Sequence, residues 1–395
     1  MDFQFTAQEE TFRQELRSWL TTNLPADYDP EKFAWEMNTE ERFRLQMAWH
    51  KQLHAGGWVG IHWPQEYGGR GATLIEQLIF HEELEHARAP HPANVLGLIM
   101  AGPVIMHWGA EEQKKRYLPK ILSGEDLWCE GLSEPGAGSD LASLQTRAVE
   151  DGDHFVINGQ KVWTSWAHRA RFCQLFVRTD PDVPKHKGMA CLLVDMKTPG
   201  VTVRPLVQIT GDAEFNEVFF DNVRVPKTNL LGPKDQGWQV LVTTLMFERS
   251  GIGFALPVDA TLQQLVALAQ QVQINGRAAN ADPAVRQKLA QFSIECKAIH
   301  YNVLRHLTRR LKGSPPGPEG SIGKLAGSEV GLKMAAFATE LLGAYAPLTA
   351  DSPYAKDQGR WARVALGARA LTIAGGTSEV QRNIVGERVL GLPKG

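Results

Sequence analysis

Cysteine is scarce in this chain. Its 395 residues include four, Cys129, Cys173, Cys191 and Cys296, with no C-x-x-C pair and no metal-ligand spacing. That excludes a disulfide framework and a cysteine-held metal, and it reads as reduced thiols in a cytosol-like compartment. Charge of one sign is missing as well. The 42 basic and 44 acidic residues nearly cancel, so composition offers no surface for nucleic acid or another polyanion. No apolar run approaches the roughly 20 residues that a membrane-crossing helix needs. The opening MDFQFTAQEE has neither the basic nor the apolar segment of a secretory signal. A cytoplasmic location is expected, with the mitochondrial matrix as the alternative if a presequence has been removed.

What is present is a globular balance, 43% hydrophobic and 22% charged, in a chain long enough for two or three domains. Three textures follow one another. Residues 1–125 carry helical periodicity broken at GGW (56–58), WPQEYGGRG (63–71) and AGP (101–103). Residues 126–232 are rich in short β runs: CQLFVRT (173–179), MACLLVDM (189–196), VTVRPLV (201–207), EVFF (217–220) and VRVP (223–226). Asn158-Gly159 between two such runs predicts a two-residue hairpin turn. Regular spacing without intervening helices predicts a small antiparallel barrel or sandwich. Residues 233–395 return to helical periodicity, with long helices expected over 236–271, 283–312, 319–344 and 376–391. The linker GSPPGPEGS (313–321) separates the second from the third. The fold class is α+β: an N-terminal helical domain, a middle antiparallel β-barrel-like domain and a C-terminal four-helix bundle.

Three segments carry candidate chemistry. Leu132-Ser133-Glu134-Pro135-Gly136-Ala137-Gly138-Ser139-Asp140 is a loop that exposes backbone N–H groups and short hydroxyls to an anion or a polar ring edge. It lacks the G-x-G-x-x-G pattern and precedes strands, so a Rossmann site is not indicated. Trp163-Thr164-Ser165-Trp166 offers rings to a flat conjugated ligand and a hydroxyl to its edge. Ile373-Ala374-Gly375-Gly376-Thr377-Ser378-Glu379 puts two glycines before a helix start, where backbone can be approached closely. Taken singly, each also suits ordinary structure: a tight turn, core tryptophans, a capped helix.

Together and in order, WCEGLSEPGAGSD, INGQKVWTS, VRVPKTNLLG and IAGGTSEVQRN resemble the acyl-CoA dehydrogenase family over essentially the whole chain. The resemblance implies FAD, an acyl-CoA substrate and α,β-dehydrogenation of the thioester, with an electron-transfer flavoprotein as acceptor. It also implies a homotetramer. The Leu132 backbone and Ser133 would meet the pyrimidine side of the flavin. Gly138 and Ser139 would reach its diphosphate, and Ser139 the CoA chain as well. Trp163 and Thr164 would cover the ring, with Ser165 near the reactive nitrogen. Thr377 and Glu379 would hold the adenine half. The family's Arg-x-x-Phe-Gly block is absent. In its place stands QINGRAANADPAVRQ (273–287), where Gln287 is the retained FAD contact and Arg277 a candidate phosphate partner.

The family's base must remove an α-proton, and many members carry that Glu just before Gly-Thr in the C-terminal loop. Here the position is Gly375. A lineage that includes isovaleryl-CoA and long-chain acyl-CoA dehydrogenases supplies the Glu from an earlier helix, directly before Arg. Met246-Phe247-Glu248-Arg249 matches that arrangement, which makes Glu248 the expected base. Met246, Arg249, Gly375 and Gly376 would face the thioester and its CoA arm. Two other readings remain open on sequence: an O2-using flavoenzyme of the same fold, and a non-catalytic scaffold subunit in a hetero-oligomer.

Overall fold

Two capping boxes open the N-terminal helices. Thr6 and Glu9 satisfy each other's backbone ahead of α1 (Ala7–Asn23), and Thr73 with Glu76 does the same for α3 (Leu74–His86). The computed structural model describes residues 4–26, 28–30, 33, 39–250, 257–314 and 317–394, without the side chains of residues 249, 250 and 257. Between and after these helices run α2 (Thr39–Ala55), α4 (Gly102–Trp108) and α5 (Glu111–Ser123). Leu16, Leu53, Trp58, Trp63, Ile79, Val104 and Ile121 form their common core. A π-helical turn, Gly97–Ala101, feeds α4. It closes on Trp63, whose Nε1 donates to Leu98 O at 2.9 Å. A Cβ on Gly102 would stand 2.2 Å from the Trp63 ring, so the helix can approach only as glycine.

The middle region is a sheet of eight strands: β1 (Trp128–Gly131), β2 (Arg147–Asp151), β3 (His154–Lys161), β4 (Phe172–Arg178), β5 (Met189–Asp195), β6 (Val201–Leu206), β7 (Phe215–Pro226) and β8 (Leu230–Leu231). The order is β6-β7-β3-β2-β4-β5-β8, with β1 on β4. Pairing is antiparallel except where β1 and β2 meet β4. Ile157, Leu175, Leu192 and Val218 fill its core.

The expected turn at Asn158-Gly159 is absent: both residues lie inside β3, where the register against β7 shifts between Ile157 and Gly159. The β2–β3 reversal falls instead at Gly152-Asp153, with Asp151 opposite His154 and Gly152 at φ 59°. Gly159 is required for a different reason. A Cβ there would lie 2.6 Å from Thr146 Cα, so the glycine permits a bulge, not a hairpin. The two β runs at 217–226 are one strand, bent at Asn222 (φ 50°).

The C-terminal helices are α6 (Gly237–Ser250), α7 (Pro257–Gln271), α8 (Pro283–Leu311), α9 (Gly320–Leu342), α10 (Arg360–Leu371) and α11 (Ser378–Ile384). A short ribbon of β9 (Gln273–Ile274) and β10 (Arg277–Ala278) stands between α7 and α8. The single helix expected over 236–271 is thus two, with residues 251–256, Phe254 among them, outside the described residues. α7 to α10 make the bundle, packed through Leu265, Phe292, Cys296, Met334, Phe337 and Trp361. The sequence reading had no helix at α10, which starts from a left-handed Gly359 and not from a Ser, Thr or Asp cap.

On sequence, Leu245, Phe254 and the apolar run AAFATELLGAYAPL (335–348) are more than one small bundle needs to cover, which predicts burial against a partner subunit. Ala335, Phe337, Ala338, Leu341 and Leu342 are buried within the chain instead. α6 leaves the bundle to lie on β5 and the π-helical turn, and Leu245 packs against the N-terminal core. Asp212, in the loop before β7, accepts from Arg42 of α2 and Arg363 of α10, tying all three regions together. All four cysteines are free and buried. Among the described residues no helix is long and apolar enough to cross a membrane, and no cluster could hold a metal.

Candidate active site

The Leu132–Asp140 loop leaves β1 and is held from beneath by one buried cation. Lys161, on β3, donates to Leu132 O and to Glu134 Oε1, both at 2.9 Å. Glu134 also accepts from the backbone N–H of Gln145 (2.6 Å) and Thr146 (2.8 Å). Val162 N–H donates to Ser133 O at 2.9 Å. Burial lowers the Lys161 pKa to about 8 against the pull of Glu134. It likewise opposes the charge on Glu134, but Lys161 and the two N–H groups overcome it and hold that carboxyl below its usual range. The motifs LSEPGAGSD and INGQKVW are therefore one mechanical unit. Sequence reasoning quoted both and missed the pair, Glu134 and Lys161, that joins them. The loop above the pair is open: Ser139 is exposed, and a Cβ on Gly136 or Gly138 would meet nothing within 4 Å.

Just beyond β3 the chain turns at Trp163, a non-glycine residue at φ 60°, which leaves its indole 59% exposed and edge-on to Phe215. A large apolar ring displayed on strained backbone marks a surface made to be covered. Thr164 is buried beside it with no hydrogen-bond partner for its hydroxyl among the described residues, and Ser165 is half-buried.

The C-terminal loop is fixed through its carbonyls. Lys324 Nζ, from α9, donates to Gly376 O at 2.6 Å, and Gln381 Nε2 donates to Gly375 O at 2.8 Å. Thr377 caps α11 by accepting from Val380 N–H. Gly375 and Gly376 have φ of 64° and 93°, a conformation natural to glycine. Glu248 approaches from α6: a Cβ built on Gly375 would lie 3.2 Å from its Oε1. The two positions that could supply a base thus occupy one place. Met246 is exposed on α6, and the Arg249 side chain lies outside the described residues. Glu379 is exposed beside Arg382. Gln287 and Arg277 are exposed on α8 and β10. Lys324 and Gln381 left no signal in the sequence as a pair, because their roles depend on where α9 packs.

An exposed indole, a glycine-opened loop and the partnerless Thr164 hydroxyl fit a flat heteroaromatic ring with a polar rim and an attached phosphate arm. FAD has that shape. Leu132, Ser133, Ser139, Trp163 and Thr164 are the residues that would hold it.

Family models for the N-terminal, middle and C-terminal domains of acyl-CoA dehydrogenases match residues 6–125, 129–223 and 235–390. The chain is 39% identical over 388 residues to acyl-CoA dehydrogenase IpdE1 of Mycobacterium tuberculosis, covering 98% of both. Among solved structures it resembles the Tcur3481-Tcur3483 steroid ACAD, with a TM-score of 0.85, 33% identity and full coverage of both chains. It likewise resembles the ChsE4-ChsE5 complex of M. tuberculosis, with a TM-score of 0.83, 33% identity and full coverage of both. The chain belongs to the FAD-dependent acyl-CoA dehydrogenase family of oxidoreductases.

Proposed function

We propose that the protein dehydrogenates an acyl-CoA thioester to its 2-enoyl-CoA with Glu248 as base and passes the electrons to an electron-transfer flavoprotein in the cytoplasm. The observation that carries this is the 3.2 Å between Glu248 Oε1 and the Cβ position of Gly375. A carboxylate there meets the same point in space as one carried on the loop. When bound, FAD supplies the acceptor for the β-hydrogen. Glu248 takes the α-proton onto its carboxylate. The half-buried seam between α6 and the loop restricts water around it and favours that transfer. Lys324 and Gln381 hold the carbonyls of Gly376 and Gly375, which leaves the adjoining N–H groups for a thioester oxygen. Neutralising that oxygen acidifies the α-carbon. Arg249, one residue on, would lie along the CoA arm.

Two of the similar structures are pairs by name, Tcur3481-Tcur3483 and ChsE4-ChsE5. That favours a second chain in the working assembly as the alternative to a homotetramer, and it bears on how FAD is held where the Arg-x-x-Phe-Gly block is missing. Anaerobic addition of a panel of straight, branched, cyclic and steroid acyl-CoAs, with flavin absorbance as readout, tests the activity. Bleaching by at least one thioester, with slow reoxidation in air and fast reoxidation by electron-transfer flavoprotein, is expected. No bleaching by any of them, alone or with a partner chain, would reject it.

A further inference from the structure

β1 and β4 run in parallel, and their register sets Glu130 directly beside Gln174. Trp128, Phe172 and Phe176 belong to the same alternating face and join the N-terminal core, whereas Cys129 and Cys173 join the β core. Glu130 and Gln174 therefore look toward α6 and the π-helical turn, among apolar neighbours, and they are 7% and 0% exposed. Gln174 Nε2 donates to Thr244 Oγ1 at 2.8 Å, and the Thr244 hydroxyl donates to Val240 O at 2.9 Å. Gln174 Oε1 and both carboxyl oxygens of Glu130 remain without a hydrogen-bond partner among the described residues. Buried polar groups in that condition call for a ligand that completes them.

The chemistry of that ligand follows from what is left over. Burial, reinforced by Cys173 and Glu248 nearby, raises the Glu130 carboxyl well above its usual range, so that it holds its proton. A neutral Glu130 offers an O–H donor, and the atom of Gln174 left unsatisfied is its Oε1 acceptor, while one Nε2 hydrogen is held by Thr244. A single hydroxyl satisfies both. A ketone would leave Gln174 Oε1 unpaired, a carboxylate would meet two acids, and an alkyl chain would pair nothing.

Thr244 and Glu248 are four residues apart on α6, so the polar set lies about 6 Å along the helix from the base. An extended acyl chain covers that in about four or five bonds. We propose that Glu130 and Gln174 form a hydroxyl-reading subsite of the acyl cleft, so that the preferred thioester carries an OH about four or five bonds beyond its α-carbon. This rests on Glu248 being the base, as proposed above.

The test compares 6-hydroxyhexanoyl-CoA with heptanoyl-CoA, which replaces the hydroxyl by a methyl group. FAD-loaded wild type should show kcat/KM about tenfold or more in favour of the hydroxy thioester, as a site built to bond a hydroxyl discriminates against its absence. Glu130→Leu should abolish or reverse that preference, Gln174→Met should reduce it, and Glu130→Gln should keep part of it. Calorimetric binding of both thioesters to a Glu248→Gln chain should give the same order without turnover. Equal handling of the two by wild type overturns the proposal, as does an equal loss on both in Glu130→Leu. Should Glu130→Leu not fold, wild type and Gln174→Met decide it. Binding of both without discrimination leaves the dehydrogenase reading intact and removes only the subsite. Binding of neither removes the subsite, and the dehydrogenase reading then stands or falls on the wider thioester panel above.

Discussion

At the scale of residues, the informative pair is Glu248 and Gly375. Glu248→Gln keeps shape but cannot accept a proton, and flavin reduction should slow by about 10²-fold or more. Stopped-flow absorbance checks this, and a normal rate would take the base assignment away from Glu248. Gly375→Glu in that background should restore part of the rate for slender straight-chain thioesters. Restoration stays partial because φ of 64° at residue 375 costs a non-glycine residue about 1–2 kcal/mol. The added side chain also begins 3.2 Å from the residue it replaces in function. Glu130 makes a second prediction at this scale. Its folded pKa lies well above the ordinary 4.5, so the folded chain keeps a proton that the unfolded chain gives up. Stability is then fullest below pH 4.5 and falls as pH rises toward the folded value. Glu130→Gln does not titrate. Its advantage in melting temperature over wild type should widen from pH 5 to pH 8, and a gap that does not change with pH would contradict it.

At the scale of elements, two lysines hold the site together, and they fail differently. Lys161→Met strands the buried Glu134 carboxylate beneath the Leu132–Asp140 loop, a loss of about 3–5 kcal/mol. Urea unfolding should show it, FAD retention should fall, and adding Glu134→Gln should recover much of the stability. Lys324→Met removes one charge-assisted bond to the Gly376 carbonyl, on the order of 1.5–3 kcal/mol. Turnover should drop about tenfold or more, and the unfolding midpoint should fall by less than it does in Lys161→Met. Neither lysine was legible beforehand, since each acts on an element distant in sequence. What the sequence did disclose was local: the β runs of β4, β5 and β6, the extents of α8 and α9, the Thr377 cap and the glycines at 375 and 376. Asn158-Gly159 misled because a glycine demanded by a bulge against Thr146 looks the same as one demanded by a turn. α10 went unseen because its start is set by the loop that Gly359 closes. Glu248 was singled out as the candidate base through the family pattern, and its distance from Gly375 emerges only from the fold.

At the scale of the whole molecule, the helical part of the apolar run, 335–342, does not argue for assembly, since the chain itself buries Ala335, Phe337, Ala338, Leu341 and Leu342. The surface that does argue for it includes Ile294, Tyr301, Tyr345, Tyr354, Leu366, Leu371 and Ile373, all exposed on the C-terminal helices and their loops. Light scattering at micromolar concentration should give a mass above the 43.8 kDa of one chain, whether from copies of itself or from a second chain; a monomer in the presence of candidate partners would contradict this. Trp163 has a consequence of its own. Among 11 tryptophans it stands 59% exposed, while Trp49, Trp58, Trp63 and Trp361 are sealed in cores. Light absorbed by the buried indoles is emitted from a dry environment. Emission from Trp163 comes from water, to the red, and energy passes efficiently from an indole to any flavin lying against it. The red edge of the chain's own fluorescence should therefore vanish first as the cleft fills, an optical gauge of occupancy that needs no label.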